Sequence, residues 1–293
     1  TYEAHSKWTY PLSQVAGIHF SGGYRNQRQI ILLDNAGAVT PPETAPVSIT
    51  DYGILKASYV YDDTRKKGIN LYHGLRYKVF TEFYENFSAS NSGLFTAGID
   101  LRHYLPVHRE IIWANRFAYG TSFGNEKLLY FLGGVDNQFS PQFANQTPFA
   151  TNENYVFQTV VTNMRGFYQN IRNGNNFAVI NSELRIPLVK YLYNAPIQND
   201  FLANFQVIGF GDVGTAWNGL HPYDDENAIN TRVVNTRGYR VVLDTQREPI
   251  VGGVGFGLRS RVLGYFCRVD WAWGIEDGAL LDNVFYFSLS TDF

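Results

Sequence analysis

Leu132-Gly133-Gly134, Met164-Arg165-Gly166-Phe167, Glu183-Leu184-Arg185 and Phe210-Gly211-Asp212-Val213-Gly214 follow one another through the middle of a 293-residue chain. Leu-Gly-Gly reads as the end of a strand, Met-Arg-Gly-Phe as part of a long loop, and the last two motifs as neighbouring strands. On those strands Glu183 and Arg185 alternate with Leu184 and Ile186, and Phe210 and Asp212 alternate with Gly211 and Val213. Side chains two apart share a face of a strand, so both acids point to one side. The order therefore predicts one loop arginine facing two carboxylates on an adjacent wall. A guanidinium forks onto carboxylates and cannot lose its proton, which suits a permanent internal tether better than lysine would.

Outward from this centre the chain alternates almost everywhere. Predicted strands cover 14–24, 26–33, 54–62, 71–79, 94–104, 110–120 and 127–132 before the long loop, and 177–188, 202–214, 253–260, 265–273 and 284–293 after it. That is about twelve, with Gly22-Gly23 as a bend between the first two and 1–13 as a lead-in. Pro41, Pro42 and Pro46 mark 34–51 as a loop, because proline interrupts a ladder. A Tyr, Asp and Asn loop is expected over 216–248. Residues 133–173, rich in Asn, Gln, Pro and Phe, form a length without evident regular structure that usually means a functional loop.

Composition narrows the function. Aromatics at 16% and charged residues at 17% favour strands over helices. A net charge of −2 gives no electrostatic footprint for nucleic acid. The single Cys267 excludes an internal disulfide framework and reads as a small buried hydrophobe. No run of about 18 apolar residues provides a transmembrane helix, while strand alternation crosses a bilayer at a mean hydropathy as low as −0.21. The six histidines lack metal-ligand spacing, so no metal and no cofactor are expected. Gly252 to Gly257 has the wrong spacing for a nucleotide loop and precedes a strand. Glu276 with Asp277, and Asp224 to Glu226, read as solvated loop tips. No Gly-x-Ser-x-Gly elbow occurs, and catalysis within this segment is not expected.

The ordered motifs resemble the C-terminal barrel of the BamA-like superfamily of outer-membrane assembly and secretion proteins, the bacterial surface antigen family. In that family a loop bearing Val-Arg-Gly-Phe or Val-Arg-Gly-Tyr folds back into the lumen, and its arginine meets acids on the two following strands. The resemblance maps Arg165, with Met164, Gly166 and Phe167, onto the loop motif. It maps Glu183 and Arg185 onto the Glu-x-Arg strand, and Phe210, Asp212 and Gly214 onto the Phe-x-Asp-x-Gly strand. Met164 departs mildly from valine. The implied fold is an all-β, antiparallel transmembrane β-barrel of about twelve strands in this chain, part of a sixteen-stranded barrel. Residues 133–173 would be an extracellular loop folded into the lumen, with about four strands and an N-terminal domain expected upstream. A barrel native at twelve is the other possibility.

The terminal strand, with Phe285, Phe287, Leu289 and Phe293 outward, resembles the C-terminal targeting signal of Gram-negative outer-membrane barrels. Alternation alone does not tell inside from outside; the family motifs decide that. The implied function is insertion, translocation or secretion of polypeptide across the outer membrane. Implied partners are outer-membrane lipid, polypeptide cargo or an attached domain, and other outer-membrane or periplasmic proteins. The alternatives are a passive barrel serving as a platform for partners, and an anchor for an upstream enzymatic domain.

Overall fold

The computed structural model describes the chain except residues 31–33, 36–37, 40–46, 89–91, 151–152, 194, 226, 237–238 and 245–246. Side chains within 29–48 and 231–246 are likewise outside the description. Eleven long strands run in chain order: β1 (Tyr2–Pro11), β2 (Ala16–Ile30), β3 (Val47–Asp62), β4 (Leu71–Asn86), β5 (Ser92–His108), β6 (Ile111–Gly124), β7 (Asn176–Ile186), β8 (Gln206–Trp217), β9 (Val251–Val262), β10 (Tyr265–Glu276) and β11 (Ala279–Leu289). Each pairs antiparallel with its successor, and Arg65–Gly68 adds a short twelfth strand against the start of β4. The result is an antiparallel up-and-down meander. β1 and β11 stand at its two ends, and no ladder joins them among the described residues.

Tight two-residue turns join the strands at both ends of β10. Leu263-Gly264 joins β9 to β10 with φ of 50° and 89°. Asp277-Gly278 joins β10 to β11 with φ of 51° and 75°, the left-handed pair that a two-residue hairpin needs for strands with right-handed twist. The connection from β7 to β8 carries two short helices, α1 (Leu188–Leu192) and α2 (Asp200–Ala203), the second capped by Asn199.

Alternation sorts the two faces, and in the second half the polar one is buried. Along β7, Asn181, Glu183 and Arg185 are buried, while Ile180 and Leu184 on the alternate face are 54% and 40% exposed. Along β9 and β11 the same holds for Arg259 and Ser288 against Val254, Phe256, Phe285, Phe287 and Leu289. Aromatic side chains tile the outward surface, with Trp271 stacked on Phe256 at 5.4 Å between ring centres and edge-on to Phe285 at the same separation. The covered side is filled by the chain between β6 and β7. There Lys127–Leu132 pairs parallel with Tyr155–Val161 and antiparallel with Arg172–Gly174. Tyr130, Leu132, Val161, Met164 and Phe167 of this insertion pack against Val179, Ala216 and Val251 of the wall.

Several expectations change. Tyr2–Pro11 is a full strand rather than a lead-in, because Tyr2, Ala4, Ser6, Trp8 and Tyr10 already alternate with charged and polar neighbours. Gly22-Gly23 is no bend: β2 runs straight through it, with Gly23 so close to β1 that a Cβ would stand 2.8 Å from the Ala4 carbonyl. Residues 31–33, given to a second strand there, lie outside the described residues. Val47 starts a ladder directly after Pro46, shortening the expected loop. Within 216–248, Thr231–Thr236 pairs with Tyr239–Asp244. Lys127–Leu132 is not in the wall at all. Its uninterrupted Leu-Leu-Tyr-Phe-Leu run is what a strand covered on both faces requires, whereas wall strands alternate.

Candidate functional site

Arg165 is completely buried at the meeting of the insertion and the wall. Its Nε and one terminal nitrogen fork onto Asp212 at 2.6 and 2.7 Å, and its other terminal nitrogen reaches Glu183 Oε1 at 2.6 Å. The Arg165 backbone N–H also donates to Asp212, at 3.1 Å. Phe210 lies flat beneath the guanidinium, 3.7 Å from Cζ to the ring centre. The cation thus meets two carboxylates through its N–H groups and a π face below it.

The residues around it explain the motifs. Gly166 has φ of +94°, and a Cβ there would stand 2.5 Å from the Gly274 nitrogen of β10. On the wall, a Cβ at Gly253 would fall 1.9 Å from the Arg165 carbonyl oxygen, so the insertion's backbone lies directly on that strand. Met164 sits over Gly214, and its N–H donates to the Gly134 carbonyl at 3.1 Å. Gly134 N–H donates in turn to Phe167 O at 3.2 Å. Leu-Gly-Gly and Met-Arg-Gly-Phe are therefore two sides of one bridge. Tyr286 of β11 accepts from Gly166 N–H at 2.9 Å and donates to Phe167 O at 2.7 Å, pinning the motif from the far side.

From Glu183 the charges continue toward the end of the sheet that carries α1 and α2. Arg185 donates to Glu183 Oε2 at 2.9 Å, to the Asn70 carbonyl at 2.9 Å and to the Phe293 carbonyl at 3.2 Å. Asn70, in a left-handed turn before β4, exchanges hydrogen bonds with Asp292 through both its side-chain atoms, at 2.7 and 2.9 Å. Asp292 also meets Arg259 and Arg268, each at 3.0 Å. Burial opposes ionisation of Asp292, but Arg259 and Arg268 outweigh it and hold the carboxyl well below the usual carboxylate range. Asp270 lies 2.8 Å from Arg259 without the alignment of a hydrogen bond, so it serves as a counter-charge. Four buried arginines thus face four buried carboxylates.

Phe293 is placed differently from its expected position. β11 ends at Leu289, and the last residues fold under the sheet, where Phe293 is buried with Leu71, Tyr104 and Ile112 and lies 5.0 Å from the Arg185 guanidinium. A terminal aromatic continuing the strand would leave that cation uncovered on one side. Cys267 is half-buried on the outward face. Glu276 is not a solvated tip: it pairs with Arg172 at 2.8 Å and Arg247 at 3.0 Å. The buried Arg172 also donates to the carbonyls of Glu248 and Pro249, tying the insertion to the segment before β9. Sequence reasoning gave Arg172 and Asn70 no role. Asn before the start of β4 is a turn signal, but nothing local announces a partner more than two hundred residues away.

Among the described residues no cluster of His, Cys, Asp and Glu is arranged to hold a metal, and no helix is long and apolar enough to cross a membrane. No family model matches the chain, and no curated protein matches it. Among solved structures, BamA from Haemophilus ducreyi lacking POTRA domains 1-3 overlays with a TM-score of 0.58 at 14% identity, across 99% of this chain and 54% of that one. The chain thus spans about half the length of that structure. CdiB from Acinetobacter baumannii overlays at 0.40 and 13% identity, across 98% of this chain and 49% of that one, a score too low to bear on the fold. The likeness to BamA is one of fold: an all-β antiparallel sheet similar to the BamA barrel.

Proposed function

We propose that the chain is the barrel portion of an outer-membrane protein of the BamA-like kind, and that it inserts, translocates or secretes polypeptide. In this reading the apolar outward face meets lipid, the insertion between β6 and β7 occupies the lumen, and the Arg165 clasp sets whether that insertion stays or moves. The carrying observation is the clasp itself: a loop arginine, fully buried, forked onto Asp212 and bonded to Glu183 of two adjacent wall strands. A packed core does not need it, since apolar residues of similar volume would fill the site at no greater cost. What paired charges supply is a fixed register of the insertion against β7 and β8. Phe285, Phe287 and Leu289 serve in this reading as an outward-facing targeting signal.

The test is photo-crosslinking in native outer membranes from a probe at Ser58, on the covered side of β3, comparing the parent protein with Arg165→Ala. The reading expects polypeptide adducts that change when the clasp is removed. An unchanged pattern, together with unchanged membrane conductance, would sink it. A passive platform is the second reading, favoured by the breadth of the insertion, which reaches from Arg25 of β2 at Phe157 to Ser288 of β11 at Gln138. It predicts no polypeptide adduct at any inner position.

A further inference from the structure

One row of the sheet carries charge in an arrangement that folding alone does not reward. Reading across neighbouring strands, Asp62 stands opposite Arg76, Arg76 opposite Arg102, and Arg102 opposite Arg116. The next two members of the row are Asn181 and Asp212. Like charges directly opposite one another in a ladder destabilise it, and strands lie only about 4.8 Å apart. Three guanidiniums here share two carboxylates. Asp62 is 3.5 Å from Arg76, while Asp100 accepts from both Arg102 and Arg116 at 2.8 to 3.2 Å.

Lys78, one step along β4 on the same face, stands opposite Asp100, whose oxygens are already taken. It is exposed, and no acid lies within ion-pair distance of it among the described residues. The same holds for Lys7 on β1. Arg76, Lys78, Lys56 and Lys7 line a cleft of about 470 Å³ on this face, with Phe80 and Ile54 as its apolar walls. The acids in the cleft are Glu82, paired with Lys56 at 3.1 Å, and Glu3, 3.9 Å from Arg25. Both are neutralised, so the cationic surplus remains.

We propose that this arginine row and the adjoining cleft bind the carboxylates of an extended acidic segment of polypeptide. Charge complementarity supplies the attraction, and the exposed guanidinium of Arg76 and the ammonium of Lys78 supply the contacts. A phosphorylated lipid headgroup has the right charge but the wrong side. The strip lies on the face opposite Leu55, Val79 and Phe83, the apolar surface of the same strands. The inference rests on the proposed handling of polypeptide and gives that cargo a chemical class.

The experiment measures fluorescence anisotropy of a labelled peptide of alternating Glu and Ser against the full-length protein in detergent. A Gln-Ser peptide, a Lys-Ser peptide and inorganic phosphate at matched ionic strength serve as comparisons. Preference for the Glu-Ser peptide is expected, weakening with salt. Lys78→Gln with Arg102→Gln should weaken it about tenfold, and Lys78→Gln alone, which breaks no ion pair of the sheet, by about threefold. Equal binding of the Gln-Ser peptide, or no change in either variant, would overturn the proposal, as would full displacement by phosphate. The crosslinking at Ser58 separates the two readings. Adducts without acidic preference remove the strip and leave the cargo reading; acidic preference without adducts does the reverse.

Discussion

All ten residues of β1 are exposed, whereas β7 buries Asn181, Glu183 and Arg185 on one face and exposes Ile180 and Leu184 on the other. Both are antiparallel strands of one sheet with similar alternation. The difference is what lies on the inner face. β1 to β4 are held by their ladders, by ion pairs such as Lys56 with Glu82 and by an apolar contact of Tyr52, Ile54 and Tyr84 with Phe157 of the insertion, while β7 to β11 are bound to the insertion by a buried, charge-balanced network. Ladder bonds give shape, and the network gives rigidity, since each buried charge is stable only while all its partners are in place.

Removal of the central cation should separate the halves most. Arg165→Ala leaves Glu183 and Asp212 without their shared partner and should cost about 3 to 5 kcal/mol, read as a lower urea midpoint of the folded band. Lys56→Ala in the first half should shift it by about 0.5 kcal/mol or less. Equal shifts would dissolve the distinction. Next, Gly253→Ala places a methyl against the Arg165 carbonyl and should lift the insertion at a cost of about 1 to 3 kcal/mol, seen as new protease cleavage between 133 and 173.

Asp292→Asn sharpens the comparison through pH. A carboxyl held low by the fold stabilises it above its unfolded value, near about 3.9, and that contribution fades as pH falls toward the folded value. The variant should therefore unfold at a lower temperature than the parent at pH 7, with the gap narrowing below about pH 4. A gap that stays constant across that range would show that Asp292 acts by packing alone. The smallest effect is expected for Glu276→Gln. It weakens the pairing with Arg172 and Arg247 by about 1 kcal/mol and should loosen only the outer part of the insertion, measured as faster amide exchange at 172–174.

Much of the second half was legible in the sequence, for a physical reason. A strand with one polar and one apolar face writes its register into the order of its residues, so Glu183 and Asp212 could be placed on one side and set against Arg165. The first half read less well. Trp8 and Tyr10 alternate as clearly as Phe285 and Phe287, but Gly22-Gly23 imitated a turn because glycine spacing is the same whether the chain bends or lies close to a neighbour. Phe293 was misplaced for the opposite reason. Alternation was carried to the end of the chain, while burial under Arg185 depends on a turn at Asn70 that lies far away in sequence. The Asp277-Gly278 hairpin was readable and marks β11 as starting at Ala279 rather than Val284.

The pinning of Gly166 and Phe167 by Tyr286 has a consequence in time. That hydroxyl lies 120 residues from Gly166 along the chain, and the bond cannot form until β7 to β11 have each been laid beside the one before. Closure over so long a stretch is slow compared with making a hairpin. The clasp on Glu183 and Asp212 needs only β7 and β8, so the Tyr286 contacts are expected to close last. Protection of the Gly166 amide would then act as a clock for assembly, its appearance dating the moment the sheet reaches β11.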